Sequence, residues 1–331
     1  MLRPTLDRFS PDPVLESELA QGLARVEAAL GQAVRSEYPF VTAASRHLVD
    51  AGGKRFRPLL VLLSAHFGDP NRQSVISAAV AVELTHVATL YHDDVMDEAA
   101  VRRGAETANA RWGNSVAILT GDFLFARSSA ILADLGPDAV RIQAQTFERL
   151  CTGQILESVG PADGMDPVKH HLAVLADKTG SLIATSCRYG AMMSGASAEV
   201  TETLTKFGEL IGVAFQLADD IVDITSDSLQ SGKTPGTDLR EGVPTLTTLI
   251  ALGNVDPADY RLRELLGRPL PEDAEHAEAL ALLRGHQALD EARAEASRWA
   301  DEARAVLAAL PAGAPKAALA TLCDYVVTRT G

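Results

Sequence analysis

The chain has 331 residues, of which 44 are Asp or Glu and 30 are Lys or Arg, so its formal net charge at pH 7 is -14. Hydrophobic residues make up 47% of the chain and aromatic residues only 5%, which predicts a folded protein with an aliphatic, alanine-rich core. The acidic balance argues against a protein that binds nucleic acid or an anionic membrane surface.

Neither the cysteines nor the hydrophobic segments indicate a secreted or membrane protein. The three cysteines lie far apart and form no CxxC pair: Cys151, Cys187 and Cys323. This spacing argues against a disulfide framework or a cysteine-based zinc site. The N-terminus lacks an apolar core of signal-peptide length, and Glu83 and His86 interrupt the most hydrophobic window, 74–91. We therefore expect a buried helix there, no transmembrane segment and a cytoplasmic location.

Apolar residues recur at helical spacing along almost the whole chain. The first predicted helix has Asp12 as N-cap and Pro13 at its first position, and runs to about residue 31. Its apolar stripe is Leu15, Leu19, Leu23, Val26 and Leu30. Further helices are predicted at 47–51, 57–67, 74–99, 114–135, 139–158, 167–195, 199–225, 246–252, 290–310 and 316–330.

The segments between these helices are short and rich in glycine, proline and aspartate, and none is long enough to be a domain linker. The segment 256–276 is polar and irregular, and we expect it at the surface. The pattern predicts an all-α fold, a single-domain bundle of long helices around a central cavity. This domain would cover 1–331, with 1–12 as an N-terminal tail.

The segment HDDVMD at 92–97 ends the most apolar predicted helix. Asp93 and Asp97 are four residues apart and share a helix face, with Asp94 about 100° away. Like charges at this spacing repel, and unpaired charges near a buried segment are costly to desolvate. Binding Mg²⁺, which usually also takes phosphate oxygens and water, is one physical resolution. For a single cluster, a solvated acidic helix end is the alternative.

A second cluster follows another apolar helical run, in the segment FQLADDIVD at 215–223. Its carboxylates are Asp219, Asp220 and Asp223. Two such motifs, each ending an apolar helix, make the solvated-end alternative much weaker. If they face each other across a bundle cavity, they could hold a Mg²⁺ cluster and, through it, a diphosphate.

A diphosphate site also needs cations, and two basic segments are candidates. In GGKRFRP at 52–58 a glycine turn precedes three cations, Lys54, Arg55 and Arg57, although a surface basic loop explains them equally well. Arg102 and Arg103 follow the first motif within two turns and offer planar guanidinium groups to phosphate oxygens. Local ion pairing with Glu98 or Asp97 is the alternative there.

In this order, the motifs resemble those of the trans-isoprenyl diphosphate synthases, the polyprenyl synthetase family. The resemblance runs from residue 52 to residue 329. The segments that carry it are GGKRFRP (52–58), HDDVMDEAAVRRG (92–104), GDFLFA (121–126), KTGSL (178–182), FQLADDIVD (215–223), GKTPGTDLREG (232–242) and YVVTR (325–329).

The resemblance implies a Mg²⁺-dependent prenyl transfer. An allylic diphosphate loses its diphosphate, the double bond of isopentenyl diphosphate attacks the resulting carbocation, and loss of a proton completes the extension by one isoprene unit. Such chemistry requires cations placed to stabilise the departing anion and a dry cavity that keeps water from the carbocation. The resemblance also implies a homodimer.

The resemblance implies roles for individual residues. The metal ligands would be Asp93, Asp94, Asp97, Asp219, Asp220 and Asp223. Arg102 matches an arginine that contacts the allylic diphosphate, and the residues that match isopentenyl diphosphate binders are Lys54, Arg57, His86 and Arg103. The residues that match contacts to the allylic diphosphate and the developing cation are Lys178, Thr179 and Gln216. Lys233 matches a further diphosphate-binding lysine. On pattern alone, His86 would be a core histidine.

The chain departs from the family pattern at one position. Val243 stands where the family often has a lysine, which puts that one phosphate contact in doubt.

In this family, the product length depends on the residues below the first motif. Short-chain members place a bulky aromatic residue four or five positions before the first Asp, where this chain has Thr89 and Ala88. Thr85 lies further down the same face. With no plug expected, the prediction is a medium- to long-chain product, hexaprenyl to decaprenyl.

Several alternatives remain open at this point. One is a short-chain farnesyl or geranylgeranyl diphosphate synthase. A class I terpene cyclase or a squalene-type synthase would use similar aspartates, but usually lacks the GGKRFRP and RRG segments. A non-catalytic partner subunit typically loses one or both aspartate motifs. A Ca²⁺-buffering or structural helical protein explains the acids but not the ordered cations.

Overall fold

The computed structural model describes residues 12–226 and 235–328, which form an all-α fold, as predicted. The only strands among these residues are β1 (Val101–Arg102) and β2 (Ala105–Glu106), which pair antiparallel. Their turn residues, Arg103 and Gly104, have φ angles of 53° and 76°. Positive φ at both central positions is typical of a two-residue hairpin turn.

The helices of the first half of the chain are α1 (Pro13–Ala33), α2 (Pro39–Asp50), α3 (Phe56–Ala65), α4 (Gln73–Met96), α5 (Ala108–Trp112), α6 (Asn114–Leu135) and α7 (Pro137–Val159). Next come α8 (Pro167–Leu175), a π-helical turn (Ala176–Gly180), α9 (Ser181–Ser194) and α10 (Ala198–Thr225). The last described helices are α11 (Thr237–Glu241), α12 (Leu246–Gly253), α13 (Tyr260–Leu266), α14 (Asp273–Arg284), α15 (Gln287–Val306) and α16 (Ala314–Thr328).

The helix α1 shows why local sequence predicted so many of these limits. The Asp12 side chain accepts hydrogen bonds from the backbone N–H groups of Val14 and Leu15 at 2.9 and 3.0 Å. These bonds satisfy donors that the first helical turn leaves unpaired. The buried stripe of α1 consists of the five residues predicted from their spacing: Leu15, Leu19, Leu23, Val26 and Leu30.

The described residues cluster into two compact units. Unit 1 comprises 12–147, 182–208 and 309–319, and unit 2 comprises 148–181, 209–226, 235–308 and 320–328. The single domain of residues 1–331 around a central cavity stays a prediction. The tail predicted at 1–12 lies, except for Asp12, outside the described residues.

In unit 1 the helix α4 packs against α1, α3 and α6. Its residue Tyr91 is fully buried, and its hydroxyl donates a hydrogen bond to the Ala44 carbonyl at 2.5 Å. Glu83, the acid that interrupts the apolar run, is buried as an ion pair with Arg55, with 2.9 Å between Oε1 and Nη1. A paired charge is tolerated inside a core, so the prediction of a buried helix over 74–91 is confirmed.

In unit 2 the segment 256–276 corrects a sequence prediction. The structure forms α13 and the start of α14 there, and the leucines that point into the core of unit 2 are Leu262, Leu265 and Leu270. Their spacing is obscured in the sequence because charged residues and prolines separate them. The prediction of an irregular surface segment is therefore wrong.

Two helices among the described residues, α4 and α6, are long and apolar enough to span a bilayer by length and composition. In α4, 72% of the most apolar stretch is buried inside the protein, against 33% in α6. Packing within unit 1 therefore explains the apolar character of α4, whereas much of the apolar surface of α6 is left uncovered.

Candidate active site

The first aspartate motif lies at the C-terminal end of α4, as the sequence predicts. Asp94 is fully buried, whereas Asp93 is half-buried and Asp97 is exposed. Burial raises the pKa of the Asp94 carboxyl, and the charge of Arg102 opposes that rise. The Oδ2 atom of Asp94 has no hydrogen-bond partner. A buried carboxylate oxygen without a partner indicates a place for a donor or a cation.

The β1–β2 hairpin brings Arg102 back onto this motif. Its Nε donates to Asp94 Oδ1, and its Nη2 lies 3.9 Å from Asp97 Oδ2. The structure thus shows the local ion pairing that the sequence left as an alternative, with Asp94 as the main partner. The same guanidinium group could bind phosphate oxygens in place of these carboxylates.

Four arginines surround His86 in unit 1: Arg55, Arg57, Arg102 and Arg103. Burial, together with these positive charges, lowers the pKa of His86 well below its ordinary value, so the imidazole is neutral at pH 7. Burial and the neighbouring Arg103 lower the pKa of Arg57 to about 10, while Glu83 opposes the shift. The Nε of Arg57 is buried without a hydrogen-bond partner. Such a cluster favours an anion.

The glycine turn Gly52-Gly53, which precedes Lys54, brings its backbone against the Arg103 side chain. The Arg103 Nη1 donates to the carbonyls of Leu48, at 3.0 Å, and of Gly52. At Gly53, where φ is 145°, a Cβ atom would lie 2.9 Å from the Arg103 guanidinium carbon, so a larger residue would push Arg103 away. Lys54 is exposed beside this turn. The structure therefore brings Arg57, His86 and Arg103 together.

A cavity of about 410 Å³ follows one face of α6 in unit 1 and begins next to the first motif. Its lining residues are His92, Asp122, Phe125, Ser129, Leu132, Val140, Gln143, Ala144 and Phe147. None of the three predicted chain-length residues, Ala88, Thr89 and Thr85, is among the described residues that line it. Ala88 and Thr85 are fully buried, and Thr89 is half-buried.

The absence of a plug below Ala88 stays a prediction, and the structure adds one polar contact there. The Gln143 side chain on α7 reaches α4, where its Nε2 donates to Thr85 Oγ1 at 2.8 Å. Ser128 on α6 lies 3.0 Å from the same hydroxyl. The Oε1 of Gln143 is buried without a partner. Sequence reasoning followed α4 alone and missed Gln143, because no local pattern indicates a contact between helices so far apart in sequence.

The second motif ends α10 in unit 2 and is connected to the predicted KTG segment. Thr179 Oγ1 donates to Gln216 Oε1 at 3.2 Å, and Gln216 Nε2 donates to Asp220 Oδ1 at 2.9 Å. Asp220 is 8% exposed, and burial together with neighbouring carboxylates raises its pKa well above the ordinary value. The structure thus joins Thr179, Gln216 and Asp220 through their side chains.

Lys178 lies on the π-helical turn that also carries Thr179. Its Nζ is 2.5 Å from Glu157 Oε2 on α7. Glu157 was not predicted as a site residue. Single π turns within α-helices are rare and frequently occur at functional sites.

Asp238 is the second residue near this motif that sequence reasoning missed. Its backbone N–H lies 3.4 Å from Asp223 Oδ2, and burial and the charges of Asp223 and Glu241 raise its pKa to about 7. Its position inside the GTDLREG segment was the available signal.

Lys233 lies outside the described residues. Val243, at the departure from the family pattern, is 36% exposed.

No group of three or more His, Cys, Asp or Glu side chains within 12–226 and 235–328 is arranged to hold a metal ion. In unit 1 the Arg102 guanidinium group pairs with Asp94 Oδ1. The donors nevertheless fit a hard divalent cation, because they are carboxylate oxygens and Asp94 Oδ2 is buried without a partner. That the two motifs face each other stays a prediction, because they belong to different units.

Comparison with known proteins establishes the family. The sequence matches the family model for polyprenyl synthetases over residues 38–283. The chain belongs to the polyprenyl synthetase family. A nonaprenyl diphosphate synthase from Mycobacterium tuberculosis (strain ATCC 25618 / H37Rv) is 49% identical over 97% of this chain and 96% of that protein. A dimethylallyltranstransferase from the same organism is 40% identical, with coverages of 96% and 97%.

A solved structure is similarly close. The crystal structure of a geranylgeranyl pyrophosphate synthase from Corynebacterium glutamicum, complexed with calcium and isoprenyl diphosphate, superposes with a TM-score of 0.88. It shares 44% sequence identity and covers 97% of this chain and 99% of that one. Family membership confirms the predictions of an all-α fold and of a trans-prenyltransferase. The relatives differ in the product that their names state.

Proposed function

We propose that this prenyltransferase condenses isopentenyl diphosphate with an allylic diphosphate, in a Mg²⁺-dependent reaction, to give an all-trans polyprenyl diphosphate of hexaprenyl to decaprenyl length. The observation that carries the proposal is the buried Asp94, whose carboxylate has one oxygen on Arg102 and one without a partner. The nonaprenyl diphosphate synthase relative supports the long-chain product.

The carboxylates that would hold Mg²⁺ are Asp93, Asp94, Asp97, Asp219, Asp220 and Asp223. When bound, the ion supplies positive charge that stabilises the departing diphosphate. Asp94 would bind the ion through Oδ2, and the Arg102 guanidinium group beside Oδ1 would contact the phosphate oxygens of the allylic substrate. The ion pair seen here thus holds Arg102 next to the position where the substrate anion would bind.

The cluster around His86 would bind isopentenyl diphosphate. Arg57 and Arg103 supply positive charge, and Lys54 lies on the adjacent turn. A neutral His86 can donate one hydrogen bond to a phosphate oxygen without adding a fifth charge to the four arginines. The low pKa of His86 therefore suits a binding role across the physiological pH range.

In unit 2, Lys178, Thr179 and Gln216 would act on the allylic substrate. The Gln216 amide is held between Thr179 and Asp220. Its orientation is therefore fixed before substrate arrives, which is the condition for electrostatic stabilisation of a developing charge. Lys178 can exchange Glu157 for a diphosphate oxygen, since both are anionic acceptors.

We also propose a homodimer in the cytoplasm. The helix α6 supports the dimer because apolar residues recur on its uncovered side at spacings of four and three residues: Leu119, Phe123 and Ala126. A second copy of the chain would cover this surface. The acidic net charge and the interrupted hydrophobic window at 74–91 support the cytoplasmic location.

Labelled substrate tests the activity directly. Purified full-length chain is incubated with Mg²⁺, labelled isopentenyl diphosphate and each allylic primer in turn, and the products are sized by chromatography. We expect products of 30 to 50 carbons, about six to ten isoprene units, and loss of incorporation when EDTA removes the metal. Products of 15 or 20 carbons only would replace the long-chain proposal with a short-chain one.

Two variants test the metal assignment. Asp93→Ala and Asp219→Ala should abolish turnover while the far-ultraviolet circular dichroism spectrum is unchanged. Asp134→Ala, an exposed aspartate on α6, serves as the matched control and should keep wild-type activity. Turnover retained in either motif variant would contradict the assignment, and no incorporation by the wild-type chain alone would favour a partner-subunit role.

A further inference from the structure

The π-helical turn Ala176–Gly180 carries Lys178 and Thr179, two of the three residues of unit 2 that the proposed function places on the allylic substrate. A π turn has wider hydrogen-bonded rings than an α-helix and is rarely stable for more than one turn. The positions of Lys178 and Thr179 therefore depend on whatever stabilises this turn. Two kinds of contact do so, one from the Arg149 side chain and one from neighbouring backbone.

Arg149 on α7 contacts the turn and α10 through its three guanidinium nitrogens. Its Nε donates to Asp177 Oδ1 at 2.7 Å, its Nη1 donates to Glu209 Oε1 at 2.8 Å, and its Nη2 lies 3.4 Å from the Ala176 carbonyl oxygen. Asp177 and Ala176 are the first two residues of the π turn, and Glu209 lies on α10. One guanidinium group thus ties the start of the turn to α10 in a fixed fork geometry.

Close backbone packing holds the other side of the turn. At Gly153, one turn along α7 from Arg149, a Cβ atom would lie 2.7 Å from the Lys178 backbone nitrogen. At Gly180 a Cβ atom would lie 3.3 Å from the Glu209 carbonyl oxygen. The turn is therefore in contact with α7 and α10 through glycines. A shift of the Arg149 fork would move Lys178 against these surfaces.

Beyond the turn, the contacts continue to the second aspartate motif. Thr179 bonds Gln216, and Gln216 bonds Asp220. Among the polar contacts of the described residues, Arg149 bonds to Asp177, Glu209 and Ala176 and to none of these three side chains. We propose that Arg149 is a positioning residue, which fixes the π turn so that Lys178 and Thr179 are aligned for the allylic diphosphate. This inference rests on the proposed role of Lys178.

Steady-state kinetics of Arg149→Met test the inference. Misplacement of a binding group by about 1 Å can cost a hundredfold in rate, so we expect kcat/KM for the allylic diphosphate to fall about ten- to a hundredfold. The KM for isopentenyl diphosphate should stay at its wild-type value, since that site lies in unit 1. Arg149→Lys keeps the charge but loses the fork, and should recover only part of the activity.

Arg141→Met is the matched control on the same helix. Arg141 is exposed and pairs only locally, with Asp138 at 3.1 Å, so its removal should leave both substrates unaffected. An equal rise of both KM values in Arg149→Met would overturn the inference, because it would indicate a general loss of structure. If Arg149→Met does not fold, Asp177→Asn and Glu209→Gln weaken the same fork with near-isosteric side chains and should show the same selective effect.

A double-mutant cycle separates this inference from the proposed function. Lys178→Ala should lower kcat/KM for the allylic substrate, and adding Arg149→Met to it should cause little further loss, because Arg149 acts through the turn that carries Lys178. Fully multiplicative losses would overturn the inference while leaving prenyl transfer intact. Absence of incorporation by the wild-type chain would instead contradict the proposed function.

Discussion

At the scale of single residues, Arg55 and Arg57 show how the surroundings give two identical side chains different roles. Arg55 has a φ of 48°, is 3% exposed, and its guanidinium group pairs with Glu27 at 2.5 Å and Glu83 at 2.9 Å. Arg57, two positions on, has a buried Nε without a hydrogen-bond partner. The first arginine is therefore structural, and the second is available to an anion.

This difference predicts that Arg55→Met lowers the stability of the fold, whereas Arg57→Met weakens substrate binding. Loss of Arg55 leaves Glu83 buried and unpaired, which should cost about 3–5 kcal/mol of unfolding free energy in urea titrations. Loss of Arg57 should leave stability unchanged or higher, and should raise the KM for isopentenyl diphosphate about ten- to a hundredfold, the value of one or two charged hydrogen bonds. Equal destabilisation by both changes would contradict the distinction.

Gln143 is a polar side chain that a growing long-chain product would have to pass. A prenyl chain that grows along α4 from Asp93 reaches the level of Thr85 after about 12 Å, eight residues at 1.5 Å each. There it meets the Gln143 amide, whose Oε1 already lacks a partner. Each further methylene gains about 0.8 kcal/mol on burial, but a hydrocarbon cannot hydrogen-bond an amide whose desolvation costs about 1–3 kcal/mol.

Substitution of Gln143 should therefore change the product length. Gln143→Ala and the similarly sized Gln143→Leu should both shift the products, sized by chromatography, toward at least one additional isoprene unit. Gln145→Ala, on the exposed side of the same helix, should give the wild-type distribution. Ala88→Phe should shorten the products, because the new ring fills the space above Gln143. If both changes at Gln143 leave the length unaltered, this role is wrong.

At the scale of elements, α6 is the helix whose sequence is not explained by its contacts within one chain. The side toward α4 is buried at Ala117, Gly121, Leu124 and Ser128, whereas Leu119 is 66% exposed. A helix that is apolar on two sides needs two partners, and unit 1 supplies one of them. The hydrophobic pattern of α6 thus supports the proposed homodimer.

Leu119→Glu tests whether a second copy covers this side of α6. A charge in an apolar interface is costly to desolvate, so the variant should shift the molar mass measured by light scattering from dimer to monomer. Lys169→Glu, an exposed position on α8, should leave the mass unchanged. A wild-type chain that is monomeric at micromolar concentration would contradict the homodimer.

At the scale of the whole molecule, buried ionisable groups make stability depend on pH. The pKa of His86 is lowered in the folded state, so between its folded value and the ordinary value of 6.5 the unfolded chain binds more protons. The contribution of the neutral, buried His86 to the free energy of unfolding is fully present above pH 6.5. It is lost as the pH falls below 6.5, with a slope of at most about 1.4 kcal/mol per pH unit. The raised pKa values of Asp94, Asp220 and Asp238 act in the opposite direction, because they favour protonation of the folded state.

The variant His86→Gln isolates the histidine contribution. Its unfolding free energy, measured in urea at pH 7.5 and pH 5.5 with EDTA present, should fall less on acidification than that of the wild type. The difference arises because glutamine does not titrate, while the aspartates act equally in both proteins. An identical pH dependence in the two proteins would show that His86 is charged or already solvated in the folded state.

Some elements were predictable from sequence because their determinants are local. The start of α1 depends on Asp12 and Pro13, and its buried stripe depends on a spacing within a single helix. The two-residue strands β1 and β2 were missed because so short a hairpin leaves no alternating pattern. The helix α13 was missed because its leucines are interspersed with charges, and only packing shows which side chains enter the core.

The sequence by itself determined the helical fold, both aspartate motifs, the basic segments and the family, since each depends on residues within a few turns of one another. Only the tertiary structure decided which side chains meet: Arg102 with Asp94, Gln143 with Thr85, and Arg149 with the π turn. The physical reason is that helical periodicity follows from backbone geometry, whereas a contact between helices depends on how whole faces pack. The acidic net charge of -14 is likewise a property of composition, but the neutral His86 among four arginines is a property of packing.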